Sequence, residues 1–355
     1  MKVLIVGICG FVGSTLARGL VEHVEGIELL GLDNLVRPGS ERNRAQLRQL
    51  GIRFFHGDIR CASDFDALPA VEWVIDAAAN PSVLAGVDGQ VSSRQLVEHN
   101  LLGTVNLLEY CKARHSGFLL LSTSRVYSIE ALTRLELEVV AEAYRPKATS
   151  TVPGLSERGI SEAFSTTPPI SLYGSTKLAS ETLALEYGST FELPIWINRC
   201  GVLAGGGQFG RPDQGIFSFW VHAYRQRRSL KYFGFDGRGF QVRDCLHPRD
   251  LVGLVAQQMR TEGSSRPRIV NLGGGVDRAM SLAQLSGWCA DRFGPHDIAA
   301  AAVDRPFDIP WMVMCSDLAQ QAWGWRPTTS LDEILDEIAE HAEQHPEWLD
   351  ISTPT

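Results

Sequence analysis

The chain has no concentrated run of Lys and Arg, and its formal net charge is −8. A nucleic-acid groove needs a concentrated basic face, so DNA and RNA are not expected partners. No stretch approaches the roughly 20 apolar residues of a membrane helix. The opening apolar run stops at Gly7, too early for a secretory leader. No membrane partner is expected, and the chain is read as cytoplasmic. Its seven cysteines are an odd number without metal-ligand spacing, which argues against a disulfide framework or a zinc site. No Gly-x-Ser-x-Gly elbow is present, so serine hydrolase chemistry lacks its support. No internal repeat is found. His341 and His345 share a helical face without a third ligand nearby and read as a solvated helix end, so no metal is expected.

What is present is an ordinary globular balance over 355 residues, 44% hydrophobic and 21% charged. That length allows one large core or two lobes sharing a cleft. The first half alternates strand-like apolar runs (3–6, 27–32, 52–56, 71–77, 117–121) with helical patterns (11–21, 41–50, 95–112). Such alternation predicts an α/β fold with a doubly wound parallel sheet of the Rossmann type. Regularity lapses over 128–169, which reads as a surface excursion near the cleft. A helix resumes over 173–187 and a strand over 195–198. The second half predicts helices at 216–227, 250–260, 281–293 and 331–343 and a strand at 241–246. The last ten residues are expected to fray.

Gly7, Gly10, Phe11, Val12 and Gly13 follow the first strand and open the first helix. Glycines permit a tight turn and close approach of a pyrophosphate to unpaired helix N–H groups. Asp33 ends the second strand, where a carboxylate accepts from both adenosine ribose hydroxyls and repels a 2′-phosphate. NAD is therefore favoured over NADP, with Asn34 beside the acid. Tyr173 and Lys177 stand at i and i+4, on one helical face. A neighbouring ammonium stabilises a phenolate and makes tyrosine a usable base. Ser122, Thr123 and Ser124 end the fifth strand, where a hydroxyl can donate to a substrate oxygen.

These residues resemble an extended short-chain dehydrogenase/reductase of the nucleotide-sugar epimerase and dehydratase family, from residue 1 to about 349. Further matches are Gly57-Asp58-Ile59, Ala77-Ala78-Ala79, Asn100 with Gly103-Thr104, Arg243-Asp244, Asp304-Arg305-Pro306 and Trp323 to Pro327. The resemblance implies an NAD-binding domain over 1–202, with 240–262 returning to it. A smaller, discontinuous nucleotide-sugar lobe would span 203–239 and 263–355. It implies that Asp58 and Ile59 border the adenine and that Ala77, Ala78, Ala79, Asn100 and Ser122 line the cofactor. Thr123 would be the catalytic hydroxyl beside Tyr173 and Lys177. Arg243 and Arg305 would clamp the substrate's pyrophosphate, a task suited to an arginine fork.

Related 4,6-dehydratases carry an acidic pair right after the catalytic threonine. Here Ser124-Arg125 stands there, which disfavours elimination. CDP-paratose 2-epimerases, also called tyvelose epimerases, resemble the chain most closely. They share Gln208-Phe209, Asp213-Gln214-Gly215 and the stretch from Gln241 to His247. Ser124, Arg125, Asn198, Gln208, Phe209, Gln214 and Asp308 join the two arginines as expected substrate contacts. The implied reaction is an isomerisation. Tyr173 takes a hydroxyl proton while NAD takes the hydride from the same carbon, and both return after the keto-sugar turns its other face. A UDP-glucose 4-epimerase would use the same groups on another sugar pose. A non-catalytic NAD-sensing regulator is the reading outside enzymes, and it need not keep Thr123, Tyr173 and Lys177 together. The resemblance also implies a homodimer, paired through the helices at 95–112 and 173–187.

Overall fold

The computed structural model describes residues 1–87, 89, 92–212, 214–261, 265–301, 303 and 305–352. Asp213 and Asp304 lie outside the described residues. Seven strands form the main sheet: β1 Lys2–Val6, β2 Glu28–Asp33, β3 Arg53–His56, β4 Trp73–Asp76, β5 Gly117–Thr123, β6 Ile195–Cys200 and β7 Ile269–Leu272. Their order is β7-β6-β5-β4-β1-β2-β3. The β1–β2, β1–β4, β2–β3 and β4–β5 pairs are parallel. Val3 to Val6 and all of β4 are buried, as expected of strands covered on both faces. Strand order reverses between β1 and β4, and the crevice beyond the carboxyl ends of such neighbours is where open α/β sheets bind ligands.

The helix expected at 95–112 is interrupted. Ser93–Val97 is α-helical, Glu98–Leu102 forms a π turn, and α-helix resumes as α2 over Gly103–Arg114. Periodicity cannot reveal an inserted residue, but the widened turn carries Asn100 inward.

The chain divides into two compact units. The first comprises Met1–Thr123, Leu172–Arg199 and Pro248–Val270, and the second Ser124–Ser171, Cys200–His247 and Asn271–Thr355. These bounds differ from those read in the sequence at 124–171, 200–202, 240–247 and 263–270, and the first three shifts share one physical reason. The cause is strand pairing inside the second unit. Ile160 N donates to Val313 O at 2.8 Å, and Cys315 N donates back to Ile160 O at 2.8 Å. Val242–Leu246 pairs with Val202–Leu203, Ala279–Ser281 and Trp311–Met312. The stretch 128–169 is thus built structure, including an antiparallel pair of Leu137–Val140 with Ala143–Pro146. The core of this unit gathers Phe217, Trp220, Val221, Leu285, Ile334 and Ile338 from three helices.

The C-terminal end does not fray through Ser352. Trp348–Ser352 is helical. Trp348 stacks on Phe209 with ring centroids 5.3 Å apart, and its Nε1 donates to Gln208 O at 2.8 Å. His341 is likewise no solvated end. Its Nδ1 lies 3.2 Å from Nε2 of the fully buried His222, and its ring meets the edge of Trp348. Burial, helped by the neighbouring imidazoles, pushes His222 down to about 3 and His341 down to about 4.

Folded, this pair binds fewer protons than the unfolded chain below about pH 6.5, so its contribution is intact above that value and is lost as pH falls towards 4. Burial pushes Asp244 the opposite way, up to about 6, so the test must be differential. Between pH 7 and 5 the thermal midpoint of a His222→Leu/His341→Leu variant should fall less than that of the wild type. Parallel falls would clear the pair of any role in acid lability.

Among the described residues, no helix is long and apolar enough to cross a membrane, and no group of His, Cys, Asp and Glu is arranged to hold a metal. Burial raises the Cys9, Cys111, Cys245 and Cys289 thiols, which makes them poor nucleophiles.

Candidate active site

In the first unit the glycine loop leaves β1 and is drawn against β2. Gly7 N donates to Leu32 O at 2.9 Å, and Gly10 N donates to Gly7 O at 3.0 Å. Gly7 has φ +71°, and a Cβ there would sit 2.8 Å from Ala78 Cα. A Cβ on Gly13 would sit 2.3 Å from Gly7 O. The loop is thus packed backbone to backbone beneath Ala77 and Ala78. Helix α1, Phe11–His23, starts here with no side-chain cap on its first turn. Its leading N–H groups and positive dipole end suit an anionic ligand. Phe11 is buried and Val12 half-buried beside Gly13.

Asp33 faces this loop. Its Oδ2 accepts from Cys9 N and its Oδ1 from Leu35 N, both at 2.8 Å. Burial raises its pKa, and those two hydrogen bonds pull the other way. Asn34 Nδ2 donates to Asp58 Oδ2 at 3.0 Å. Asp58 is gripped at both oxygens by Arg60, at 3.0 and 2.7 Å. Against the burial that raises it, these bonds hold the Asp58 carboxyl well below the usual range. A cleft opens between Asn34, Gly57, Asp58 and Arg60. Arg60 was missed in the sequence, although its place two residues after Asp58 allows the grip. Ile59 turns the other way, into the core.

Helix α3, Ser171–Phe191, carries Tyr173 and Lys177, both buried. Asp76, at the end of β4, is fully buried; burial raises its pKa and the nearby Lys177 charge lowers it. Asn100 Oδ1 accepts from Asn80 N at 2.8 Å, and its Nδ2 donates to Thr176 Oγ1 at 3.2 Å. It therefore ties the loop beyond β4 and Ala79 to the helix of Tyr173. Thr123 is the last residue of β5. The hydroxyl of its neighbour Ser122 is turned towards α3. It donates to Glu181 Oε1 on α3 at 2.5 Å.

Asn198 also departs from expectation. It is fully buried, and its amide pairs reciprocally with Gln258, each bond 2.9 Å long. That pairing makes it part of the packing between β6 and the helix Val252–Met259, not a substrate contact.

In the second unit, Arg243 Nη2 donates to Asp308 Oδ1 at 3.2 Å, and Gln241 Nε2 donates to Asp308 Oδ2 at 3.3 Å. Arg305 lies 4.7 Å over the Phe233 ring and donates to Pro212 O at 3.1 Å. Arg125 Nη1 donates to Phe307 O at 3.1 Å, and Ser124 is buried. Gln214 closes a tight turn with Arg211 through paired backbone bonds of 2.7 and 3.1 Å. Gln208 and Phe209 point elsewhere than expected. Gln208 Nε2 donates to Leu203 O at 2.5 Å, and Phe209 is buried under Trp348. Their visible work is to hold the C-terminal helix.

A glycine cradle at the switch point, an acid closing β2, and Tyr173 and Lys177 one turn apart define a dinucleotide-dependent enzyme of the Rossmann class. The residues suit a dinucleotide's pyrophosphate, because the glycine loop packs backbone to backbone and the first turn of α1 presents N–H groups that no side chain caps. The chain belongs to the NAD dependent epimerase/dehydratase family, which residues 3–273 match. It is 31% identical over 295 residues to a CDP-paratose 2-epimerase of Salmonella typhi, covering 80% of this chain and 82% of that relative. It is 26% identical over 377 residues to a probable UDP-glucuronate 4-epimerase of Rhizobium meliloti (strain 1021), covering 97% and 98%. The fold matches the UDP-glucuronic acid 4-epimerase of Bacillus cereus, solved with UDP-glucuronic acid and NAD. That TM-score is 0.74 at 24% identity, over 97% of this chain and 99% of the other.

Proposed function

We propose that the chain is a cytoplasmic, homodimeric, NAD-dependent isomerase that inverts C2 of a CDP-linked deoxyhexose. The observation that carries this reading is its 31% identity with a CDP-paratose 2-epimerase over 80% of the chain. Ser124-Arg125 after Thr123 supports it, because water loss from a hexose needs an acid and a base that this position lacks.

In this reading Tyr173, held ionised by the Lys177 ammonium, removes the proton of the sugar hydroxyl. Thr123 donates to the same oxygen and fixes its direction. The nicotinamide, when bound, supplies reversible uptake of the hydrogen on that carbon. Tyr173 gives its proton back after the sugar has turned its other face, and no net oxidation remains. Arg243 and Arg305 take the diphosphate, with Asp308 holding the Arg243 guanidinium ready. The dimer would form on α3 and the interrupted helix over 93–114, where Leu102, Leu172 and Phe191 are exposed.

A second reading is 4-epimerisation of a UDP-hexose, favoured by the nearly full-length match to a probable UDP-glucuronate 4-epimerase. Proton NMR of CDP-paratose incubated with enzyme in deuterated water separates the two. CDP-tyvelose is expected, with protium retained at C2 because the hydrogen returns to its own carbon. No conversion of CDP-paratose, together with inversion of a UDP-hexose at C4, would replace the first reading with the second.

A further inference from the structure

The buried carboxylate of Glu181 is used by none of the steps above. It stands one helical turn beyond Lys177 and two beyond Tyr173, on the same face of α3. Arg199, near the end of β6, meets it in a two-point grip. Nε lies 3.1 Å from each oxygen, and Nη2 lies 2.7 Å from Oε2. Side-chain exposure is 2% for Glu181 and 7% for Arg199. Ser122 Oγ donates to Oε1 of the same carboxylate at 2.5 Å.

A buried ion pair is weak evidence of stabilisation, because desolvating both charges offsets their attraction. What the planar fork does supply is direction. With both oxygens gripped by Arg199, Glu181 has one orientation, and Ser122 meets an acceptor in one place. That matters because of where β5 ends. The β4–β5 register closes at Asp76 opposite Leu120, so Ser122 and Thr123 run past the end of β4. Immediately afterwards the chain turns into a 3-10 helix, Ser124–Val126.

We propose that Glu181, oriented by Arg199, is a positioning residue. Through Ser122 it docks the Thr123 end of β5 on the helix that carries Tyr173 and Lys177. The proposal rests on Thr123 and Tyr173 acting on one oxygen, as in the function proposed above.

Glu181→Gln would remove the counter-charge of the buried Arg199 and risk the fold, so Ser122 is the residue to change. Ser122→Ala leaves the ion pair whole and removes only the link. In the NAD-loaded enzyme it should lower kcat by about 10- to 100-fold, the scale of a small misplacement at a reacting centre. KM for the sugar nucleotide and NAD content should stay near wild type. Ser122→Thr, which keeps the hydroxyl, should restore most of the rate. In a Thr123→Ala background, Ser122→Ala should cost almost nothing further, because the group it positions is gone. A merely structural serine would cost the same in both backgrounds.

Amide exchange needs no sugar and reads the docking directly. The peptide spanning 120–126 should exchange faster in Ser122→Ala, with α3 unchanged. Unchanged exchange there overturns the proposal, as does an undiminished loss in the Thr123→Ala background. If the wild type converts neither CDP-paratose nor a UDP-hexose, the function proposed above falls, and amide exchange alone decides the role of Glu181.

Discussion

Tyr173→Phe should lower turnover by about 10²–10⁴, the range for removal of a general acid–base group. The substitution deletes one oxygen. Tyr173 is buried, and the ring that fills its site is kept. Folding and bound NAD should therefore survive, and the loss should fall on kcat. The neighbourhood sharpens the expectation. Lys177 is 2% exposed and close enough to the buried Asp76 to lower its pKa, so the ammonium is held in place and does not sample solvent. Phenylalanine would leave that charge with no phenolate to stabilise. Steady-state rates with the nucleotide sugar, beside dinucleotide extracted from the purified variant, check both halves. A variant turning over near the wild-type rate would remove Tyr173 from the chemistry.

The second large effect is expected at Gly13, and it falls on binding. A Cβ there would meet Gly7 O at 2.3 Å, Ile8 Cα at 2.8 Å and Gly7 C at 2.9 Å. All three are backbone atoms, so no side chain can rotate out of the way. Gly13→Val must push α1 off the turn at Gly7. The same turn holds Asp33 in register through Cys9 N. Cradle and ribose acid should be lost together, and the purified variant should carry no detectable dinucleotide. Its unfolding midpoint should also drop, since overpacking against fixed backbone is destabilising. Wild-type NAD content in Gly13→Val would show that the cofactor does not use this loop.

The first five strands were legible because each is an apolar run with a helical pattern or a turn on either side. The cradle and Asp33 were legible because their spacing is local. What stayed hidden depends on partners distant in sequence. The strand Leu230–Phe233 exists by pairing with Ile298–Ala301. Strand β7 belongs to the sheet through its place beside β6, far back in the chain. Asn198 ends the strand read at 195–198 and looks available there, but β6 runs on to Cys200 and Gln258, 60 residues on, occupies its amide. Gln208 and Phe209 carry a family pattern, yet Trp348, 140 residues from Gln208, accounts for their geometry. The link from Ser122 to Glu181 could not be read from either residue alone. The i+4 spacing from Lys177 was its one visible trace.

The interleaving of the two units also bears on how the chain is made. The sequence passes from one unit to the other five times, at 123/124, 171/172, 199/200, 247/248 and 270/271. During synthesis the cradle, Asp33 and β1 to β5 emerge first, but the first unit lacks its last segment until residue 270 has left the ribosome. By then much of the second unit has also been made. Domains usually fold as units in order of synthesis, and here that order is denied to both. The nascent chain must carry an open sheet edge at β5 through the interval between residues 123 and 195, where β6 begins. That interval is when aggregation and chaperone capture should concentrate.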